Sequence, residues 1–403
     1  MLRAIKIRLY LNKDQEGYVS NLLGTSRFIY NNLLAYKISE YNTNNHSVSF
    51  GELGKKLVEL KSEYDWIKLS HSKVLQQSII NLEYAYKSFF KNGSGFPKFK
   101  SKKSYKESCR FPSDAIGDVC GNRINIIKQL RDIHFKCSRR DEIILNKNKQ
   151  SIKSATLTKT KTGKYFLSIL IDTELTKTLN TPINSIIGID MGIKSFIVDS
   201  KGNEYENIKI KRNNEKRISK LHRELSRKQG DSKNREKARI KLSKLYEKLN
   251  NKKENYLHEI SNKLLNENQV IVIEDLGISN MLRNHNLAKS LQELSLYRFK
   301  SIIEYKAKWY SRDIIQVDRY FPSSKLCNKC GYKNTELKLS DREWICTSCN
   351  TTHNRDHNAA INIENEGNRI IRIGSSSPEL TLMESNPIGS RGNKKETLFH
   401  DNS

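Results

Sequence analysis

The sequence predicts a multidomain α+β protein: a small β-barrel interrupted by helices, then an α/β domain with a cysteine-rich insert near its end. Three observations predict it. Apolar residues alternate over 3–10 and again over 109–175, while the stretch between repeats with a helical period. One strand before a helical insert and several after it is the pattern of an opened barrel. Further along, the runs Ile186–Asp190 and Val270–Glu274 are each apolar and each end in an acid, as buried strands of a second sheet would.

Composition narrows the class of function. The 403 residues carry 72 Lys plus Arg against 44 Asp plus Glu, a net charge of +28, and only 36% are hydrophobic. Length suits two or three domains without disulfide support. So basic a surface should meet phosphates or anionic lipid. No apolar run is long enough to span a membrane. The N-terminus alternates apolar and basic residues, unlike a signal peptide. The expectation is a soluble cytoplasmic binder of polyanions with no membrane partner.

In chain order, Ile5, Ile7 and Leu9 alternate with Lys6, Arg8 and Tyr10 and read as a strand. Helical spacing follows in Tyr18, Leu22, Leu23, Phe28, Ile29, Leu33 and Tyr36, and again in Val74, Leu75, Ile79, Leu82, Tyr86, Phe89 and Phe90. Breaks are expected at Asn42–Ser49 and Asp65–Ser70, and Gly93–Pro97 ends the bundle. The basic run Lys98, Lys100, Lys102 and Lys103 precedes the short strands of 109–175. A hairpin is expected from Ile186–Asp190 and Phe196–Asp199 about a Met191–Ser195 turn. Two long basic helices fill 209–253, broken at Gln229–Asp231; then come a strand at Gln269–Ile273, a helix at Ser290–Tyr310 and a strand at Ile314–Val317. Beyond Gly374 there is no periodicity, and the tail reads as disordered. The predicted domains are 1–11 with 97–181 (barrel), 12–96 (helical insert), 182–373 (α/β domain, insert 322–352) and 374–403 (tail).

Cys109, Cys120 and Cys137 are scattered and read as small hydrophobes. Cys327, Cys330, Cys346 and Cys349 form two CxxC pairs fifteen residues apart, the spacing of a four-thiolate zinc ribbon. A redox pair is the competing reading. One structural Zn2+ is expected, because four thiolates leave no open position; His353 lies close by and is not needed as a ligand.

Three acids complete the pattern. Asp190 ends one apolar strand between glycines, Glu274 ends another, and Asp356 opens a helix containing Ala359 and Ala360. Singly they read as a turn residue, a solvated strand end and a helix cap. Together, on strand, strand and helix in that order, they match an RNase H-like site. Converging carboxylates repel and call for a hard cation, Mg2+ or Mn2+, and two such ions can clamp a phosphodiester.

The segments GIDMGIKSF, VIVIEDLGISNM and CNKCG…WICTSC…HNRDHNAAINI resemble the RuvC nuclease domain of the TnpB family. Those proteins are transposon-encoded, RNA-guided DNA endonucleases related to compact type V CRISPR nucleases. Ser26–Asn31, Leu75–Gln77 and Gly95–Lys100 extend the resemblance to about residues 1–373. It implies a wedge-type barrel with a helical recognition insert, then a RuvC domain with a zinc-bearing insert. It also implies a nuclease triad at Asp190, Glu274 and Asp356, and zinc ligands at Cys327, Cys330, Cys346 and Cys349. Implied partners are a guide RNA transcribed from the element's end and double-stranded target DNA beside a short flanking motif. A local departure is Asn354, where many members carry an Asp.

Candidate readers of that motif are Lys73 and Gln77, four apart on one helix face, with Tyr30 and Asn31 as further partners. Exposure to solvent or to guide RNA is the competing reading. Two alternatives to the nuclease remain open on sequence: a nuclease-inactive RNA-guided repressor, and an RNase H-fold transposase.

Overall fold

Strand β1 (Leu2–Tyr10) buries every second residue, Ile5, Ile7 and Leu9 among them, as its alternation requires. A computed structural model describes residues 1–102, 107–173, 185–275, 295–338 and 340–375, and these fall into two compact units, 1–173 and 185–375. Lys103, the predicted boundary at 181/182 and nearly all of the predicted tail lie outside the described residues.

In the first unit β1 pairs antiparallel with β5 (Ile133–Lys136) on one side and β7 (Tyr165–Asp172) on the other. With β2 (Glu107–Pro112), β3 (Val119–Cys120), β4 (Arg123–Ile124) and β6 (Ile152–Lys159) the sheet order is β2-β6-β7-β1-β5-β4-β3, antiparallel throughout. The expected barrel is thus seen as a seven-stranded sheet whose outer strands, β2 and β3, share no ladder among the described residues.

Four helices separate β1 from β2: α1 (Lys13–Asn44), α2 (Phe50–Glu63), α3 (Asp65–Lys68) and α4 (Ser72–Asn92). Asn12 with Gln15 and Ser49 with Glu52 form capping boxes at α1 and α2, and Gly93, at φ 61°, closes α4. Ile29, Leu33, Leu53, Leu57, Leu75 and Leu82 fill their common core. The expected break at Asp65–Ser70 holds the short helix α3. Helix α5 (Arg139–Lys147) was not expected among the strands; it buries only Leu145, too little for a readable period, and its start is set by Ser138 capping Asp141.

The second unit is built on β8 (Ile186–Asp190), β9 (Ser195–Asp199), β10 (Glu204–Glu206), β11 (Val270–Glu274) and β12 (Asp313–Val317), in the order β10-β9-β8-β11-β12. Strand β9 runs antiparallel to both β10 and β8, and β11 runs parallel to both its neighbours. Its Ile271, Val272 and Ile273 are almost fully buried, as a central parallel strand demands. One face packs on α7 (Lys233–Glu267) and α8 (Leu296–Tyr310), through residues such as Leu264 and Phe299. Helix α7 therefore runs past the predicted end at 253, because Leu257, Ile260 and Leu264 continue its buried stripe. The basic hairpin it makes with α6 (Glu215–Ser226) is closed by Leu221, Leu242, Leu245 and Leu249. The start of the predicted Ser290–Tyr310 helix lies outside the described residues.

The opposite face takes α9 (Arg355–Ser375) at very short range. A Cβ on Gly188 of β8 would stand 2.2 Å from the Ala360 carbonyl oxygen and 2.5 Å from the Glu364 nitrogen. Gly188→Ala should force the helix off the strand and destabilise this unit by about 2–3 kcal/mol. Melting of the variant tests it: a drop of roughly 4–12 °C is expected, and an unchanged melting temperature would contradict the contact.

Candidate active site

Strands β8 and β11 are parallel and in register, with Ile189 opposite Ile273. Their next residues, Asp190 and Glu274, therefore emerge side by side at the carboxyl edge of the sheet, where open α/β sheets bind ligands. Asp356 lies in the first turn of α9, the helix held against β8 by Gly188. The side chain of Asn354 accepts a hydrogen bond from the His357 backbone N–H at 3.1 Å, so Asn354 caps the helix that carries the acid.

The three predicted acids thus face one region, and their electrostatics say so. The Asp190 carboxyl is pushed up to about 7, mainly by burial and then by the charges of Asp356 and Glu274. Glu274 is likewise pushed up to about 7 by burial, opposed by a hydrogen bond from the Ser323 side chain. Among the described residues the cations at hand are few. Arg355 draws on Asp190, Arg342 reaches the two Asp356 oxygens at 3.4 and 3.5 Å, and Arg319 is occupied with Asp275. Half-buried oxygen donors with so little counter-charge fit a hard divalent cation.

The four predicted cysteines do converge. Their sulfurs lie within 4.8 Å of one another, and among the described residues no other set of three or more Cys, His, Asp or Glu is gathered so tightly. Cys327 and Cys349 are 3.6 Å apart, as are Cys330 and Cys346, far beyond a disulfide bond of about 2.0 Å. A tetrahedron with metal–sulfur bonds of about 2.3 Å has edges of about 3.8 Å, so the set could hold zinc. Each knuckle turns through a left-handed residue, Gly331 (φ 76°) in the first and Asn350 (φ 56°) in the second. The hairpin β13 (Glu343–Ile345) and β14 (Thr352–Asn354) then runs directly into α9. His353 does have a part: it is buried on Trp344 and its Nε2 lies 3.0 Å from the Cys327 sulfur.

The predicted nucleic-acid residues lie in the first unit and are not all alike. Gln77 lines a small polar cleft with Ser26, Arg27, Asn81, Lys100 and Arg110. Lys73 is bonded to Asp114. The Asn31 amide is committed at both ends to the Lys100 backbone, at 3.0 and 2.8 Å. Tyr30 is buried, with the Lys100 ammonium 3.7 Å above its ring; burial pulls that ammonium down to about 8. These two residues shape the basic segment instead of presenting free edges. Lys98 and Lys102 are exposed.

Sequence reasoning missed Arg342, Ser323 and the buried Asn358 and Asn362 of α9. Only the asparagines left a trace: polar residues four apart on a helix whose neighbours, Ala359 and Ala360, are core residues.

Residues 297–363, spanning α8, the cysteine ribbon and the start of α9, match the Cas12f1-like TNB domain, and residues 168–285 match a family described as a probable transposase. Residues 1–46 match a helix-turn-helix domain family, although here they form strand β1 and the long helix α1. The chain has the fold of the Cas12f1 protein seen by cryo-EM in a Cas12f1–sgRNA–target DNA complex, with a TM-score of 0.55 at 14% identity over 91% of this chain and 99% of that one. The putative RNA-guided DNA endonuclease InsQ of Escherichia coli is 29% identical, over 93% of this chain and 94% of its own. A putative RNA-guided DNA endonuclease of Streptomyces pristinaespiralis is 33% identical over 363 residues, 90% of this chain and 88% of the relative. A match of that depth, running nearly end to end, places the chain in the TnpB family of RNA-guided DNA endonucleases.

Proposed function

We propose that this chain cuts double-stranded DNA next to a short flanking motif, using a guide RNA and a two-metal site at Asp190, Glu274 and Asp356. The observation that carries the reading is the register of β8 and β11, which brings two acids to one sheet edge beside the helix bearing the third. Magnesium, when bound, supplies an activated water and charge stabilisation for the leaving oxygen. The chain's own part is to hold the ligands. Sheet register fixes Asp190 and Glu274, the Asn354 cap fixes Asp356, and the three acids position cations instead of attacking the phosphate. The five-stranded sheet is read as RNase H-like, the seven-stranded one as the wedge, and the cysteine ribbon as a structural zinc site.

Guide and target carry the sequence information by base pairing, as in RNA-guided nucleases generally. The basic α6–α7 hairpin is read as a wall for the heteroduplex, its Lys and Arg outnumbering its acids. Cleavage of a plasmid with a randomised flank by the guide-loaded protein tests the function. Specific binding without cutting would favour the repressor reading.

Gln77 is the proposed flank reader, since its amide lines a cleft beside Lys100 and Arg110. Gln77→Ala should relax or shift the motif at one base pair, a discrimination loss on the order of 1–3 kcal/mol. Lys73→Ala should weaken binding and lower its salt dependence if that ammonium leaves Asp114 for a phosphate. An unchanged motif from the Gln77→Ala library would move the reader into the strands near 105–125.

A further inference from the structure

Strand β14 carries more than the link to α9. Its His353 pairs with Trp344 in the ladder, and Thr351 continues that ladder one step outward, its carbonyl accepting from the Cys346 backbone N–H at 2.9 Å. Two apart on an extended chain, Thr351 and His353 present their side chains to the same face. Each meets a sulfur, and the two sulfurs come from different CxxC pairs. The Thr351 hydroxyl lies 3.3 Å from the Cys349 sulfur, and His353 Nε2 lies 3.0 Å from the Cys327 sulfur. Those sulfurs are themselves neighbours, 3.6 Å apart. His353 is 4% exposed, with its ring centroid 4.7 Å from that of Trp344, so the imidazole has little room to turn away. It is not a further ligand, for it stands outside the four residues whose sulfurs all lie within 4.8 Å of one another.

We propose that Thr351 and His353 form a donor pair that holds zinc in the ribbon by hydrogen-bonding the sulfurs of Cys349 and Cys327. The inference rests on reading the four cysteines as a zinc site. A sulfur bound to zinc is a thiolate with no proton to give, so the hydroxyl and the ring N–H are the donors, and the His353 proton sits on Nε2. Four thiolates bring more negative charge than one Zn2+ cancels, and charge-assisted hydrogen bonds disperse the excess. The same bonds orient the sulfurs, as outer donors do at metal sites generally. Both residues are positioning residues, since neither supplies a ligand atom. Through His353 the first knuckle is also tied to the strand that ends at Asn354, the cap of α9.

The experiment uses the zinc-loaded full chain and reads zinc transfer to the chromogenic chelator 4-(2-pyridylazo)resorcinol. A second readout is the sulfur-to-metal charge-transfer absorption of the Co2+-substituted protein. His353→Phe keeps a ring on Trp344 and removes the donor, while Thr351→Val keeps the shape and removes the hydroxyl. Each variant should release zinc on the order of 10-fold faster than wild type, and the double variant faster still. The Co2+ band should move to longer wavelength, because a thiolate without its donor gives up charge more easily. His353→Gln and Thr351→Ser, which keep an N–H and an O–H, should restore both readouts towards wild type. Wild-type release and an unmoved band in both His353→Phe and Thr351→Val would overturn the donor pair alone, provided that a Cys349→Ser control has lost its zinc. Wild-type protein without stoichiometric zinc by elemental analysis would overturn the zinc reading beneath it.

Discussion

Asp190→Ala, Glu274→Ala and Asp356→Ala should each abolish DNA cleavage while leaving guide and target binding near wild type. On the proposed reading each removes an oxygen ligand from a site whose cations would carry several kcal/mol of transition-state stabilisation. At about 1.36 kcal/mol per factor of ten, the rate loss should be on the order of 10³-fold or more. Binding is a separate sum, made over many phosphate contacts by a chain of net charge +28, and it does not need these acids. Removing one carboxylate in fact lessens the repulsion felt by the phosphates. Cleavage within tenfold of wild type by any of the three variants, at saturating magnesium, would remove that residue from the site.

Loss of zinc should be nearly as damaging, by a different route. Cys346 is fully buried, and its sulfur sits 3.6 Å from that of Cys330. In Cys346→Ser the ribbon loses a thiolate from a site of a kind worth about 10–16 kcal/mol in small zinc peptides, far more than so small a hairpin can replace. Strand β14 ends at Asn354, the cap of α9, so the disorder reaches Asp356 within two residues. We expect cleavage to fall on the order of 100-fold, with substoichiometric zinc by elemental analysis. Full activity in protein that carries no zinc would refute the structural role of the ribbon.

What was legible in the sequence had a local pattern. Asp190 and Glu274 each follow an uninterrupted run of β-formers, and the cysteines announce themselves by spacing. The helical insert was readable because its apolar stripes are long and its caps are standard, Asn12 and Ser49 among them. Ser323 left no such mark: a serine that bonds a carboxylate looks in sequence like any loop serine. Lys73 and Asn31 read in sequence as contacts to the flanking motif because their partners, Asp114 and Lys100, stand 41 and 69 positions away. Helix α5 was missed since one buried leucine makes no period. Arg342, too, reaches Asp356 only through the folding of the ribbon hairpin.

The dispersion of the acids along the chain also sets an order of events during synthesis. Asp190 and Asp356 are separated by 356 − 190 = 166 residues, and Glu274 falls midway between them. At about 5–20 residues per second, a ribosome makes Asp356 roughly 8–33 s after Asp190. Throughout that interval β8 lacks the helix that Gly188 receives, and the sheet edge holds at most two of its three acids. The seven-stranded sheet and its helices, complete by Asp172, have by then been translated in full. With the proposed triad, the nascent chain is therefore without a cutting centre until α9 is made, and truncated products that stop short of α9 should not cut DNA.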